Sequence, residues 1–269
     1  TAVDLTGNRI IDRIYGGDLK GNMWGAEYSS NSWSSIVRQG SSPRALFTAV
    51  RDGIAQPITV PPAVVRSPQP GNEPNLLVLF GTGQYLTSDD PFRTAIQSYY
   101  GITDQARRNT TLTRDDLLPR TLSHSDINVD GVAYKVRESS GTEWTSEAGW
   151  YVDFDRASDV GERIVQRTRI RGKYAFVNST IPTSDPCAAG GDGWIMAFGL
   201  DGRTPDRAVF TRFGEPVVGY RVEGSMPNVS GFIGDYMITP LSDNTFMEDE
   251  IDLGPGGRTG RVSWQEIYD

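Results

Sequence analysis

The sequence predicts an all-β protein of the β-propeller class, built from quinoprotein-like hairpin blades. Strand-like segments recur along its 269 residues, Gly and Pro number 30 and 16, and helical periodicity is nearly absent. β-Branched and aromatic residues favour strands, whereas Gly and Pro favour the turns between them. Aromatic strand ends stand beside Gly-rich turns at residues 15–24, 80–85 and 194–202. Because a blade needs about 40 to 50 residues, the chain would supply about five or six, and we expect it to be part of a larger ring.

The individual elements follow from local composition. Most predicted strands are β-branched or aromatic, and several alternate apolar and polar residues. Single helical turns are expected at 113–119, where Thr113 could cap the turn and Pro119 stop it, and at 91–95. Residues 57–74 and 109–130 are polar and read as long connections. The predicted strands are 13–15, 22–28, 45–50, 76–82, 98–103, 132–137, 150–154, 163–171, 174–181, 194–200, 217–222, 236–241 and 262–267.

Bulk charge and hydropathy exclude several classes of function. The net charge is −8, and no cluster of Lys and Arg is present, so we expect no nucleic-acid partner. No apolar run approaches the roughly 20 residues that cross a bilayer, and we predict no transmembrane segment. The longest run, residues 76–80, has the length of a buried strand. The chain starts inside a motif without an upstream strand, and we expect a piece of a longer protein.

Residues 4–12, which read DLTGNRIID, form the main candidate site. Oxygen-bearing side chains alternate here, and short loops bind Ca²⁺ with such side chains and one backbone carbonyl. The predicted ligands are the side chains of Asp4, Thr6, Asn8 and Asp12 and the carbonyl of Ile10. Thr6 stands where Asp or Asn would be the stronger ligand, and only two carboxylates remain. An Asx-rich turn that needs no ion is the alternative, and both remain open. A tight hairpin is predicted directly after the loop.

Other chemical candidates have simpler interpretations, and we predict no catalytic residues. Residues 126–131 match the calcium pattern in part but lack a closing acid, which favours a turn. The single histidine, His124, is expected in a solvated loop, and Cys187 is expected to be a structural thiol or to form a disulfide with another segment. The acidic groups Asp89/Asp90, Asp153/Asp155 and Glu248-Asp249-Glu250 with Asp252 are expected on the solvated surface. Core packing is the default expectation for Trp33, Trp144 and Trp150, with a glycan or protein contact surface as the alternative.

An ordered set of segments resembles the C-terminal β-propeller of the PilC/PilY family, the type IV pilus biogenesis factors and tip-associated adhesins of Gram-negative bacteria. The matching segments are residues 2–24, 79–86, 97–102, 184–187, 193–194 and 260–264. The resemblance implies that residues 1–269 are the C-terminal part of such a propeller, preceded in the family by more propeller sequence and a variable N-terminal half. Two departures from the family pattern are Thr6 in the loop and the Gly25-Ala26-Glu27 sequence after Trp24.

The resemblance also implies a function. It implies a calcium-modulated, non-enzymatic module that supports pilus extension, twitching motility and surface attachment. Its expected partners are minor and major pilins, and its expected location is extracellular, at the pilus tip or the outer-membrane surface. The alternatives are a quinoprotein-like propeller enzyme, because hairpins ending in Gly-Asn-x-Trp also occur in such enzymes, and a structural scaffold without a bound ion. No Arg-Gly-Asp tripeptide is present, so integrin binding through it is not supported.

Overall fold

The structure is a computed structural model that describes residues 1–105, 109–183 and 190–255. In these stretches nearly all regular structure is β-strand, which confirms the all-β prediction. The helices here are short 3-10 turns at Asp90–Phe92, Arg114–Asp116 and Thr211–Phe213. The strands are β1 (Ala2–Val3), β2 (Arg13–Gly17), β3 (Asn22–Ser29), β4 (Ser32–Ser35), β5 (Val37–Gln39), β6 (Ser42–Arg44), β7 (Phe47–Thr48), β8 (Val50–Arg51), β9 (Ile54–Ala55), β10 (Ala63–Arg66), β11 (Leu76–Gly81), β12 (Ser98–Asp104), β13 (Leu118–Val129), β14 (Val132–Ser140), β15 (Gly149–Asp153), β16 (Arg169–Arg171), β17 (Tyr174–Pro182), β18 (Gly191–Gly199), β19 (Gly219–Val222), β20 (Gly231–Ile233), β21 (Tyr236–Pro240) and β22 (Phe246–Glu250).

A ten-stranded sheet forms the centre of the molecule. Its strand order is β10-β11-β12-β15-β13-β14-β19-β18-β17-β16, and all neighbours are antiparallel except β13 and β15. The sheet curls into a nearly closed, barrel-like form, because its edge strands β10 and β16 lie beside each other. β1, β2, β3, β4 and β7 form a five-stranded sheet, and β20, β21 and β22 form a three-stranded one. Two short hairpins, β5–β6 and β8–β9, complete the architecture of the described residues.

Both faces of the central sheet are buried, which explains its continuous apolar strands. Successive side chains of a strand point to opposite faces. In β11, Leu77 and Leu79 face the interior, where they meet Trp150 and Trp194. Val78 and its neighbours on the other face pack against the five-stranded sheet. On the opposite side of the barrel, outward residues of β17, β18 and β19 pack against the three-stranded sheet.

The predicted strands with strong apolar character are confirmed. β2, β3, β11, β12, β14, β15, β17, β18, β19 and β21 all coincide with predicted segments. The predicted helical turns also exist, as the 3-10 turns at Asp90–Phe92 and Arg114–Asp116. Thr113 precedes the second turn and, with Asp116, forms a capping box. None of the helices in the described part of the chain combines the length and apolar character needed to cross a bilayer.

Four of the predicted segments are wrong or incomplete. Residues 45–50 are divided between β7 and β8, which belong to different sheets, and only Arg169–Arg171 of residues 163–171 is a strand. The predicted connection 57–74 contains β10, and the connection 109–130 contains β13. β13 was missed because its Ser, His, Asp and Asn residues have low strand propensity, and backbone pairing with β14 holds it extended. The predicted strand 262–267 lies outside the described residues.

Candidate calcium loop

Residues 4–12 form a closed loop between the first two strands of the five-stranded sheet. β1 pairs with β2 in antiparallel register, with Val3 opposite Arg13. Asp4 and Asp12 are the next residues on either side of this pair, so the two strands bring the ends of the loop together. The N–H of Asp12 donates to the carbonyl oxygen of Val3 at 2.9 Å, which closes the neck of the loop.

The Asp4 carboxylate organises the first half of the loop. Its Oδ1 accepts the backbone N–H groups of Thr6 and Gly7 at 3.1 and 2.7 Å. Its Oδ2 accepts the N–H of Arg9 at 2.7 Å. Gly7 and Arg9 adopt left-handed conformations, with φ of 74° and 68°, which turn the chain around the carboxylate. Desolvation raises the pKa of Asp4, but the backbone N–H groups of Arg9, Gly7 and Thr6 outweigh it and hold that pKa below its ordinary value.

Asn8 and Asp12 organise the second half of the loop. Asn8 Oδ1 accepts the N–H of Ile10 at 2.8 Å. Asp12 Oδ2 accepts the N–H of Leu5 at 2.7 Å, and Leu5 packs against the apolar core below the five-stranded sheet. The backbone carbonyl of Asp12 accepts the N–H of Tyr28 at 2.8 Å from β3. The Asp12 carboxylate is therefore held by the backbone of the loop, on a framework tied to the core.

The donor set of the loop fits a hard cation such as Ca²⁺. Calcium takes oxygen ligands, and the loop contains two carboxylates, an amide oxygen, a hydroxyl and the backbone carbonyl of Ile10. Thr6, Asn8 and Ile10 are exposed, so a cation could enter from solvent. The described residues contain no group of three or more His, Cys, Asp and Glu side chains that could hold a metal ion. An ion here would therefore rely on Asn8, Thr6 and the Ile10 carbonyl beside the two carboxylates.

The internal hydrogen bonds of the loop are also those expected of an Asx-rich turn that binds no ion. Each of Asp4, Asn8 and Asp12 already accepts at least one backbone N–H. A carboxylate or amide oxygen has further lone pairs, so these bonds are compatible with a bound cation as well. The ligand set of Asp4, Thr6, Asn8, Ile10 and Asp12 therefore stays a prediction, as does the presence of an ion.

A buried cluster that was not predicted from the sequence lies beneath the neck of the loop. Arg13 directly follows Asp12 and forms ion pairs with Asp104 of β12 and, at 3.2 Å, with Glu27 of β3. The hydroxyl of Tyr15 donates to Asp104 at 2.5 Å. The alternation in residues 13–17 places Arg13 and Tyr15 on the buried face. A charged residue on the buried face of a strand requires a buried partner, so Arg13 was the signal in the sequence that could have indicated the cluster.

The remaining sequence candidates fall into three groups. Residues 126–131 form the end of the β13–β14 hairpin, which confirms the predicted turn at Asp130 and Gly131. Core packing is wrong for Trp33, which is 46% exposed, whereas Trp144 and Trp150 are buried in the core as expected. Trp33 and Trp24 line a groove of about 490 Å³ on the outer face of the five-stranded sheet. Cys187 lies outside the described residues.

Two predictions about polar residues are wrong. His124 is a partly buried residue of β13, not a loop residue, because the hairpin lays it against Trp194. Two members of the acidic pairs, Asp90 and Asp249, are buried, not solvated. Asp90 accepts the backbone N–H groups of Leu86 and Thr87, and Asp249 is paired with Arg212. These partners replace the water that a surface carboxylate would have.

Comparisons with known proteins place this all-β, loop-bearing domain among β-propellers of pilus proteins. The family model described as the PilY1 beta-propeller domain matches residues 1–128. A type IV pilus biogenesis factor PilY1 homolog of Xylella fastidiosa is 32% identical over 97% of this chain, and PilY1 of Pseudomonas aeruginosa strain PAO1 is 30% identical over 78% of it. The crystal structure of the P. aeruginosa PilY1 C-terminal domain matches with a TM-score of 0.73 and 22% identity, covering 95% of this chain and 60% of that one.

The chain belongs to the PilC/PilY family, in the region of the PilY1 β-propeller domain. The propeller prediction is thereby confirmed. The chain spans about a fifth of the length of the curated relatives it matches, 21% in each of the two cases above. The relatives are named as pilus biogenesis factors and not as enzymes. That residues 1–269 form the C-terminal part of a longer propeller stays a prediction.

Proposed function

We propose that this chain is a non-enzymatic module of a type IV pilus biogenesis factor and tip-associated adhesin. The observation that carries the proposal is the 32% identity over 97% of the chain with a relative named as such a factor. Its partners would be the minor and major pilins, and it would act outside the cell, at the pilus tip or the outer-membrane surface. In this role it would support pilus extension, twitching motility and surface attachment.

Calcium is the proposed regulator of the module. Asp4, Thr6, Asn8, the carbonyl of Ile10 and Asp12 would hold the ion, which would supply positive charge between two carboxylates. The loop joins β1 to β2, and β2 pairs with β3, so an ion bound in the loop would order the first hairpin. The ion would thereby favour the state of the protein that supports extension over retraction.

The test combines ion binding with a cellular measurement. Calcium binding to the purified wild-type chain and to the Asp12→Ala variant is measured by isothermal titration calorimetry. The same substitution is placed in the full-length protein, in a strain whose own gene is deleted, and surface pili and twitching are measured. We expect the variant to lose at least about tenfold in calcium affinity, since ligand charge sets affinity, and to lose surface pili.

Asp126→Ala is the matched control for this test. Asp126 is exposed and belongs to the other partial calcium pattern, which ends in the β13–β14 turn. It should leave calcium affinity and piliation unchanged. Calcium binding that is equal in Asp12→Ala and wild type would remove the ion from the proposal. Normal piliation in a strain whose gene lacks the codons for residues 1–269 would remove the pilus role of the chain.

A further inference from the structure

The neck of the loop is joined to the central sheet by a buried ionic cluster. The Arg13 side chain is 8% exposed and forms an ion pair with Asp104, whose side chain is completely buried. Asp104 is the last residue of β12, in the ten-stranded sheet. The hydroxyl of Tyr15 donates to the same carboxylate oxygen of Asp104 at 2.5 Å. Two residues of β2 are thus held by one carboxylate of another sheet.

This cluster lies one peptide unit from a predicted calcium ligand. Arg13 follows Asp12, whose N–H, carbonyl and carboxylate are each held by a hydrogen bond, to Val3, Tyr28 and Leu5 respectively. A displacement of the Arg13 backbone therefore moves the backbone at Asp12 or breaks one of these bonds. No flexible linker separates the two residues.

The cluster is strong enough to influence the loop because its charges are removed from water. A buried guanidinium that loses its carboxylate partner is costly, so Arg13 has a strong preference for the position that Asp104 fixes. Desolvation lowers the pKa of Arg13, but the charge of Asp104 outweighs it and keeps that pKa above its ordinary value. Burial and Asp104 also raise the pKa of Tyr15, so its phenol stays protonated and continues to donate.

We propose that Arg13 and Tyr15, held by Asp104, are positioning residues for the calcium loop and couple its order to the ten-stranded sheet. The proposal rests on the proposed calcium function for its role in regulation. The physical coupling itself concerns the order of residues 4–12 and exists with or without the ion. In the coupled molecule, calcium binding stabilises the contact of β2 with β12, and that contact in turn raises calcium affinity by the same factor.

The test compares two matched variants, Asp104→Asn and Asp249→Asn. Asp249 is also buried, with the Arg212 guanidinium at 2.8 Å and the Tyr220 hydroxyl donating at 2.7 Å. The arginine–aspartate–tyrosine arrangement is thus repeated around a residue of β22, distant in sequence from the loop, and Tyr15 and Tyr220 belong to different core clusters. Both variants therefore lose the same kind of ion pair, but only one of them touches β2.

Hydrogen exchange of the backbone amides in residues 4–12 is measured in the presence of a chelator, and calcium affinity is measured separately by calorimetry. In Asp104→Asn we expect amide exchange in the loop to rise about tenfold and calcium affinity to fall about tenfold, the scale of one hydrogen bond to a charged group. Asp249→Asn should change both by less than about twofold, whatever its effect on global stability. Tyr15→Phe, which keeps both charges, should shift both in the same direction by a smaller factor and replaces Asp104→Asn if that variant does not fold.

The outcomes separate this inference from the proposed function. Equal amide exchange of the loop in Asp104→Asn and Asp249→Asn would overturn the coupling, even if the wild type binds calcium. If Tyr15→Phe replaces Asp104→Asn, unchanged amide exchange of the loop in Tyr15→Phe would overturn it in the same way. Selective loosening of the loop in a protein that binds no calcium would support the coupling and contradict the calcium function.

Discussion

The side chains around His124 determine the charge state of its ring. Its ring meets the Trp194 ring in a T-shaped contact with 5.6 Å between centroids. Arg137 lies over the same indole, 3.5 Å from the ring centre, and is completely buried. Desolvation lowers the pKa of His124, and the positive charges of Arg137 and Arg156 lower it further, so that it falls from 6.5 to about 4 despite the opposing effect of Asp159. The histidine is therefore neutral in the folded protein near neutral pH.

We expect His124 to make folding less stable in acid. Its pKa is lower in the folded than in the unfolded chain, so below pH 6.5 the unfolded chain binds the extra proton. Stability that is complete above pH 6.5 is then lost progressively toward pH 4. Urea unfolding of wild type and His124→Asn at pH 7.5 and about 5.5 measures this, and the wild type should lose more stability between the two. Equal losses in the two proteins would contradict the assignment.

The β13–β14 hairpin combines a long strand pairing with a tight two-residue turn. Nine residue pairs, from Thr121–Ser140 to Val129–Val132, join the two strands. The two-residue turn consists of Asp130 and Gly131, both left-handed, with φ of 50° and 86°. This is the turn whose twist matches that of the strands, and Asp-Gly or Asn-Gly is favoured in it. Asn128 Oδ1 accepts the N–H of Gly131 at 3.0 Å and braces the turn.

Gly131→Ala should destabilise the protein by about 1 to 2 kcal/mol, because an L-residue resists a left-handed backbone. No atom lies within 4 Å of the position that the new Cβ would take, so the effect would be conformational and not steric. Asp130→Asn is the matched control and should change stability by less than about 0.5 kcal/mol, since Asn tolerates the same conformation. Chemical denaturation measures both values. If Gly131→Ala leaves the free energy of unfolding unchanged, the turn is not of this type.

The interior of the barrel-like ten-stranded sheet is closely packed around Trp150. The indole N–H of Trp150 donates to the carbonyl of Leu200 at 2.9 Å, which fixes the ring across the interior. Gly101 of β12 pairs with Trp150 across β12 and β15, and a Cβ at Gly101 would lie 2.6 Å from the indole. Gly202 also approaches this ring, with a corresponding distance of 2.5 Å. The curled sheet therefore leaves no space beside this tryptophan.

Gly101→Ala should cost about 1 to 3 kcal/mol of unfolding free energy through overpacking, since the fixed indole cannot move away. Gly16→Ala is the control, because Gly16 lies on the outer face of β2 with no atom within 4 Å of a new Cβ. Its effect should be neutral or slightly stabilising. Thermal unfolding and the near-ultraviolet circular dichroism of the tryptophans report both variants. An unperturbed Gly101→Ala protein would show that the interior is looser than described.

Local pattern was enough to predict part of this molecule. Strands such as β11 and β17 are found by sequence analysis because burial on both faces requires a continuous apolar run. The candidate loop is visible in the sequence because its alternating residues lie within nine positions, and the pairing of β1 with β2 joins its two ends. Both features are encoded within short windows of sequence.

The parts that were missed depend on contacts between distant residues. Arg13 and Asp104 are separated by 91 positions, and no local pattern connects them. The insertion of β15 between β12 and β13, including a parallel pairing, is a property of the whole sheet. His124 was assigned to a loop because nothing near it in sequence indicates Trp194, which β18 contributes from 70 positions away.

The most direct test of the central claim, that residues 4–12 form a calcium-binding loop, is a crystal structure of the protein saturated with calcium. We expect a single ion with oxygen ligands at about 2.3 to 2.6 Å from Asp4, Thr6, Asn8, Asp12 and the carbonyl of Ile10. Val3 and Arg13 should keep their pairing below the ion. A loop without an ion in which the Asp4 and Asp12 carboxylates point apart would contradict it.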